Sequence, residues 1–207
     1  RLRGGERLDR PDPILRTQPE PAVDNPEQVH DAPPPPMEPV PLPDTPEIQG
    51  LAEILAEQGV DDTVREGRLR SFAGELDDLR ARLGTVSAGS PAAARLLHDA
   101  RDAIASGDIT RGTDLLIRAA EEEDTTGHKH AWTADIHGRA AALTRLVAGD
   151  LLAARGDAEE AATLFRLAAD AVPEDDLELR VECLGRLGAL AHGREDYKAA
   201  RKHFAAA

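Results

Sequence analysis

Ala148-Gly149-Asp150-Leu151-Leu152, followed by Gly156-Asp157-Ala158-Glu159-Glu160-Ala161-Ala162-Thr163-Leu164-Phe165, has a near copy further along the chain. The copy is Leu187-Gly188-Ala189-Leu190-Ala191, followed by Glu195-Asp196-Tyr197-Lys198-Ala199-Ala200-Arg201-Lys202-His203-Phe204. One shift of 39 residues lays Gly149 on Gly188, Asp157 on Asp196, Ala161 on Ala200 and Phe165 on Phe204. Self-similarity at such a period marks a solenoid of stacked helix pairs, because one unit cannot bury its apolar face alone and needs a neighbour. Arrays of this kind present surfaces to partners more often than they enclose catalytic pockets.

Working back from that stretch, the period stays helical as far as Thr45-Pro46. Pro46 suits a first helical position, and Ile48, Leu51, Ile54 and Leu55 share a face before Gly59. Asp61 or Asp62 can cap the next helix, where Leu69, Phe72, Leu76, Leu79 and Leu83 form a narrow seam ending at Gly84. Residues 48–88 therefore read as a helical pair that caps the array. Ser90-Pro91 opens another pair, with Leu96, Leu97, Ala100 and Ile104 on one face. Ser106-Gly107-Asp108 breaks it, and a helix follows from about Ile109 to Glu123. One long helix is expected from about Lys129 to Arg155, then helices over residues 158–171 and 176–192 with Pro173 between them, and a last one from near Asp196.

Residues 1–47 are different material. Prolines stand at 11, 13, 19, 21, 26, 33 to 36, 39, 41, 43 and 46, with acidic residues between them. Such a stretch buries too little apolar surface to offset its ordering entropy, and is expected to stay disordered, with Pro33 to Pro36 favouring polyproline II. It reads as a spacer, with a groove ligand of P-x-x-P type as the sharper alternative. The chain lacks an initiator methionine and stops within a repeat, so a segment of a longer protein is expected.

The net charge of −14 argues against a nucleic-acid or anionic-membrane surface, since phosphate binding needs clustered Lys and Arg. One cysteine, Cys183, excludes an intramolecular disulfide framework and reads as a small apolar filler. No apolar run approaches the roughly 20 residues that span a bilayer, and no signal segment opens the chain. A cytoplasmic location is expected.

Residues 142–175 resemble a tetratricopeptide (TPR) repeat, whose pattern joins W-x-x-L-G-x-x-Y to A-x-x-x-F and a closing proline. Gly149, Leu152, Ala161, Phe165 and Pro173 occupy those places, with Arg145 where the tryptophan would stand. Leu184, Gly188, Ala200 and Phe204 fill them in the next unit. A degenerate unit fits residues 93–124. The resemblance implies an all-α, tetratricopeptide-like right-handed helical-repeat solenoid over residues 89–207, with about three repeats, of the irregular kind found in bacterial multidomain signalling or scaffold proteins. It also implies a concave groove lined by the first helix of each repeat: Leu97, Arg101 and Ile104, then Leu146, Asp150 and Ala153, then Gly185, Ala189 and His192. One Arg and one Asp there suit a mixed or apolar peptide better than a terminal carboxylate.

Little else carries chemistry. His128 and His130 point apart on a helix, and no carboxylate or thiol completes a metal set around His130 and His137, so these histidines read as polar surface. Trp132 reads as packing between helices. Glu121-Glu122-Glu123-Asp124 reads as a solvated run after a helix, where negative charge opposes the dipole. No nucleophile–base pair or phosphate loop appears, and no cofactor is expected. The function expected is a non-catalytic protein-protein interaction scaffold for a protein or peptide partner. The alternative is a regulatory or oligomerising module of a larger enzyme or signalling protein, seen as self-association.

Overall fold

A computed structural model of the chain describes residues 41–129 and 133–207, with side chains described outside 128–132. The proline tract before residue 41, His130 and Trp132 lie outside the described residues, as do the side chains of His128 and Lys129.

The start signals act as sequence chemistry dictates. Thr45 Oγ1 accepts from the Ile48 amide at 3.4 Å and opens α1, Pro46–Glu57. Asp61 Oδ1 accepts from the Thr63 amide at 2.9 Å and opens α2, Asp62–Thr85. Ser90 Oγ accepts from the Ala93 amide at 3.1 Å ahead of Pro91, the first residue of α3, Pro91–Ala105. Then come α4, Ile109–Lys129, and α5, Ala134–Arg155. Three further helices are α6, Ala158–Ala171, α7, Leu177–Gly193, and α8, Tyr197–Ala206. The last two are capped by Asp176, accepting from Leu179, and Asp196, accepting from Ala199.

All described regular structure is α-helical. From α4 to α8 each helix packs on the one before it. A core cluster runs from Ile48 and Leu51 of α1 through the α2 seam (Leu69, Phe72, Leu76, Leu79, Leu83) to Leu151, Phe165 and Leu187. α1 and α2 therefore share a core with the later helices, and α2 lies against α1 and α5. A second cluster joins Leu146, Ala168, Val172, Leu179 and Cys183 across α5, α6 and α7.

Two expectations are corrected. The helix expected from about Lys129 to Arg155 starts later: α5 begins at Ala134, after Thr133, whose backbone (φ −115°, ψ 8°) is not helical. The run Glu121 to Asp124 does not follow a helix but lies inside α4, which continues for more than a turn beyond it. The dipole penalty at a helix end therefore does not apply there, and Glu123 turns inward.

The 39-residue shift also appears in backbone geometry. Gly156 ends α5 with φ +95°, and the residue shifted from it, Glu195, follows Arg194, the residue that ends α7, with φ +61°, the one described non-glycine residue in the left-handed region. A side chain there carries a steric cost that glycine avoids. Glu195→Gly is expected to raise stability by about 0.5–1 kcal/mol, read by urea denaturation.

Glu47 at the start of α1 is 3% exposed and accepts from Arg80 of α2, Nη2 at 2.6 Å and Nε at 3.0 Å. Burial alone would raise its carboxyl, but hydrogen bonding and charge from Arg80, with local backbone and Thr45 bonds, hold it below the ordinary value. A lowered folded-state value means that the charged form contributes stability at neutral pH. That contribution fades as pH falls through the folded value. Glu47→Gln is expected to cost about 1 kcal/mol at pH 7, Arg80 being half in solvent, with the difference from wild type disappearing at acid pH.

Candidate functional site

Asp150 of α5 organises a polar arrangement between three helices. Its side chain is 8% exposed and meets two guanidinium groups: Arg82 of α2 donates to Oδ2 at 2.7 Å, and Arg186 Nε lies 2.9 Å from Oδ1. Arg82 also reaches Glu182 of α7 at 3.3 Å. Burial raises the Asp150 carboxyl above its ordinary value; Arg186 and Arg82 oppose that rise and Glu75 adds to it. One carboxylate thus joins α2, α5 and α7.

Beside this junction lies a cleft of about 450 Å³. α2 supplies one wall with Arg68, Ser71, Phe72, Glu75 and Leu79, and α5 supplies Asp150, Ala153 and Ala154. Phe165 of α6, 2% exposed, lies beneath its floor, and α7 adds Arg186, Ala189 and Leu190, with Arg194 just past its end. The arginines are already engaged: Arg68 donates to the Arg155 carbonyl at 3.2 Å, and Arg194 pairs with Glu159 at 2.5 Å. The cleft therefore offers apolar surface bordered by paired charges, a lining suited to a peptide of mixed character.

The residues expected to line a groove divide. Asp150, Ala153 and Ala189 come together in this cleft. Leu97 and Ile104, each 2% exposed, and Leu146, fully buried, belong to the core and face no partner. Their apolar character is used between helices. Arg101 is committed to the end of α2, donating to the Leu83 carbonyl at 3.1 and 2.8 Å and to the Val86 carbonyl at 2.9 Å. His192 is exposed outside the cleft, its ring edge-on to Tyr197 at 5.5 Å, and Gly185 has no side chain against it. The α2 wall was missed. Its signal was the heptad spacing of Arg68, Glu75 and Arg82 beside the apolar seam.

The repeat-defining positions behave as a packing set. A β-carbon at Gly149 would lie 2.8 Å from Phe165 Cδ1, and one at Gly188 would lie 2.8 Å from Phe204 Cδ1. The same glycine–ring contact thus occurs twice, 39 residues apart. Leu152, Ala161 and Ala200 are buried, Leu184 packs against the core, and Pro173 sits in the turn before α7, its carbonyl accepting from Asp176. Arg145, at the tryptophan position, is 7% exposed and ion-paired with Asp124.

A second polar centre corrects the reading of His137 and Glu123 as surface residues. His137 is 4% exposed and Glu123 1%. His137 Nδ1 lies 2.5 Å from Glu123 Oε2, while Oε1 accepts from the Gly89 and Ser90 amides at 2.8 and 3.3 Å. The carboxylate thereby satisfies the amide donors where α3 begins, where negative charge is favoured. Among the described residues no group of three or more His, Cys, Asp and Glu is placed to hold a metal ion, and no helix is long and apolar enough to cross a membrane.

Cys183 is fully buried, and burial pushes its thiol up to about 12. The thiolate is the nucleophile, so iodoacetamide at pH 8 is expected to leave native protein unmodified and to label it after denaturation, as read by intact mass.

These features define an all-α chain of sequentially packed helices with a mixed-charge cleft between α2, α5 and α7. No protein-family model matches it, and neither a curated protein nor a solved structure does so.

Proposed function

We propose that this chain is a non-catalytic, tetratricopeptide-like docking scaffold that holds an extended or helical peptide of a partner protein in the cleft between α2, α5 and α7. The carrying observation is the convergence of Asp150, Ala153 and Ala189 on one apolar, charge-paired cleft. The repeat reading is supported by the two glycine–phenylalanine contacts and by the matched left-handed positions 156 and 195. The negative charge of the chain favours a protein partner over nucleic acid or an anionic membrane. His137 and Glu123 then serve packing, tying α3, α4 and α5 together, and need no substrate.

The test is affinity capture with the whole chain and its Ala189→Trp variant. Ala189 is exposed, so the indole fills the cleft without entering the core. A protein retained by wild type and lost with the variant, at equal unfolding midpoints, supports the cleft. Identical capture profiles refute it.

A further inference from the structure

Single side chains tie α2 to three later helices. Arg101 of α3 donates to the Leu83 carbonyl at 2.8 Å, Asp150 of α5 accepts from Arg82 at 2.7 Å, and Glu182 of α7 meets the same guanidinium at 3.3 Å. The seam of α2 (Leu69, Phe72, Leu76, Leu79, Leu83) is buried, and most of the residues between are exposed. The fit is incomplete. Ser71 and Glu75, one turn apart and exposed, border the 450 Å³ cleft beside α7 together with Phe72 and Leu79 of the seam.

The backbone of α2 is also weak. Glycines inside α1, α4 and α5 mark close approaches: a β-carbon at Gly50, Gly112, Gly127, Gly138 or Gly149 would meet an atom of another segment within 4 Å. Gly67 and Gly74, inside α2, are exposed, and among the described residues nothing lies within 4 Å of such a carbon. Each lowers the stability of the helix relative to alanine, and no packing is gained in return. Local opening starts from elements of this kind, with few contacts and low intrinsic stability.

We propose that α3, α5 and α7 form a helix-binding groove of which α2 is the resident, displaceable occupant. The ligand is an amphipathic helix of a partner protein that carries the α2 stripe and an arginine in the Arg82 register, facing Asp150 and Glu182. It bears apolar side chains in place of Ser71 and Glu75, which fill the space that α2 leaves open and remove a carboxylate from the cleft that holds Asp150. The occupant is thus specified by this chain's own helix and by charge complementarity. Because the groove accepts a ligand only while α2 is out, apparent affinity falls with the fraction of molecules that are open, and α2 regulates the site. The inference deepens the cleft reading and rests on it: the groove is that cleft with its α2 wall removed.

The probe is a fluorescein-labelled peptide of residues 61–85 carrying Ser71→Leu and Glu75→Leu, titrated with the whole 207-residue chain and read by anisotropy. Gly67→Ala together with Gly74→Ala in the protein is expected to weaken binding about tenfold, although neither position touches the groove, because the helix that must leave is strengthened. The same pair is expected to slow hydrogen exchange of the α2 amides about tenfold and to leave those of α5 unchanged. Arg82→Glu in the peptide is expected to cost about tenfold against either protein. No binding to wild type, equal binding to wild type and the double variant, or α2 amides that exchange no faster than those of α5 each overturn the proposal. Equal binding to those two proteins that is lost with Ala189→Trp overturns the displacement alone and leaves the cleft standing.

Discussion

Phe165→Ala is expected to cost about 3–5 kcal/mol, whereas Phe204→Ala costs about 1 kcal/mol or less, although the two rings occupy corresponding places in the sequence. Both rings lie on a glycine of the preceding helix, where an added β-carbon would collide with the ring. The difference is what lies above. Phe165 is 2% exposed and shares a core cluster with Leu164 and Leu187, so truncation leaves a cavity in addition to the lost transfer energy. Phe204 is half exposed, so truncation removes little buried area and opens a space that water can fill. Urea denaturation of the two variants and the wild type, fitted with a common m-value, checks the contrast. Equal losses would show that Phe204 is as well covered in solution as Phe165.

Glu123→Ala is the other large effect, at about 3–5 kcal/mol, because it removes one partner from a buried charged arrangement. The substitution leaves the Gly89 and Ser90 amides without their acceptor at the start of α3, and leaves His137 buried without its carboxylate. Little rearrangement is available: a β-carbon at Gly89 would lie 2.6 Å from His137 Cε1 and 2.8 Å from Glu123 Oε2, so the glycine, the imidazole and the carboxylate already fill the space. His137→Ala is expected to cost less, since Glu123 keeps both backbone donors. Thermal unfolding of the two variants at pH 7 gives the order. A smaller loss for Glu123→Ala than for His137→Ala would mean that the amide bonds contribute little and that the imidazole dominates the site.

Most helix boundaries were legible because the signals that set them are local. Thr45, Asp61 and Ser90 each cap within three residues of themselves, and Pro46 and Pro91 sit where their missing amide proton costs nothing. The apolar stripe of α2 and the correspondence of Gly149 with Gly188 also follow from spacing alone. Reading Glu121 to Asp124 locally gave the wrong answer, because a carboxylate near a helix end is judged by the dipole unless something distant receives it. Here Gly89, some 34 positions earlier, and His137, 14 later, receive Glu123. Three of the expected groove residues are buried for the same reason. Leu97, Ile104 and Leu146 were placed by analogy of position, but a leucine on an inward helix face is buried whenever another helix can reach it.

The sequence by itself determined that the chain is helical from Pro46 onward, where most helices start and stop, and that two units correspond under a shift of 39 residues. Tertiary structure alone decided that α2 lies along α5, that Arg82 joins Asp150 and Glu182 across as many as 100 positions, and that Phe165 is sealed while Phe204 is open. The physical reason is range. Capping, φ preference and amphipathic period act within a turn or two and leave a mark in neighbouring residues. Burial of a charge or a ring depends on which distant helix arrives to cover it, and no local pattern records that arrival.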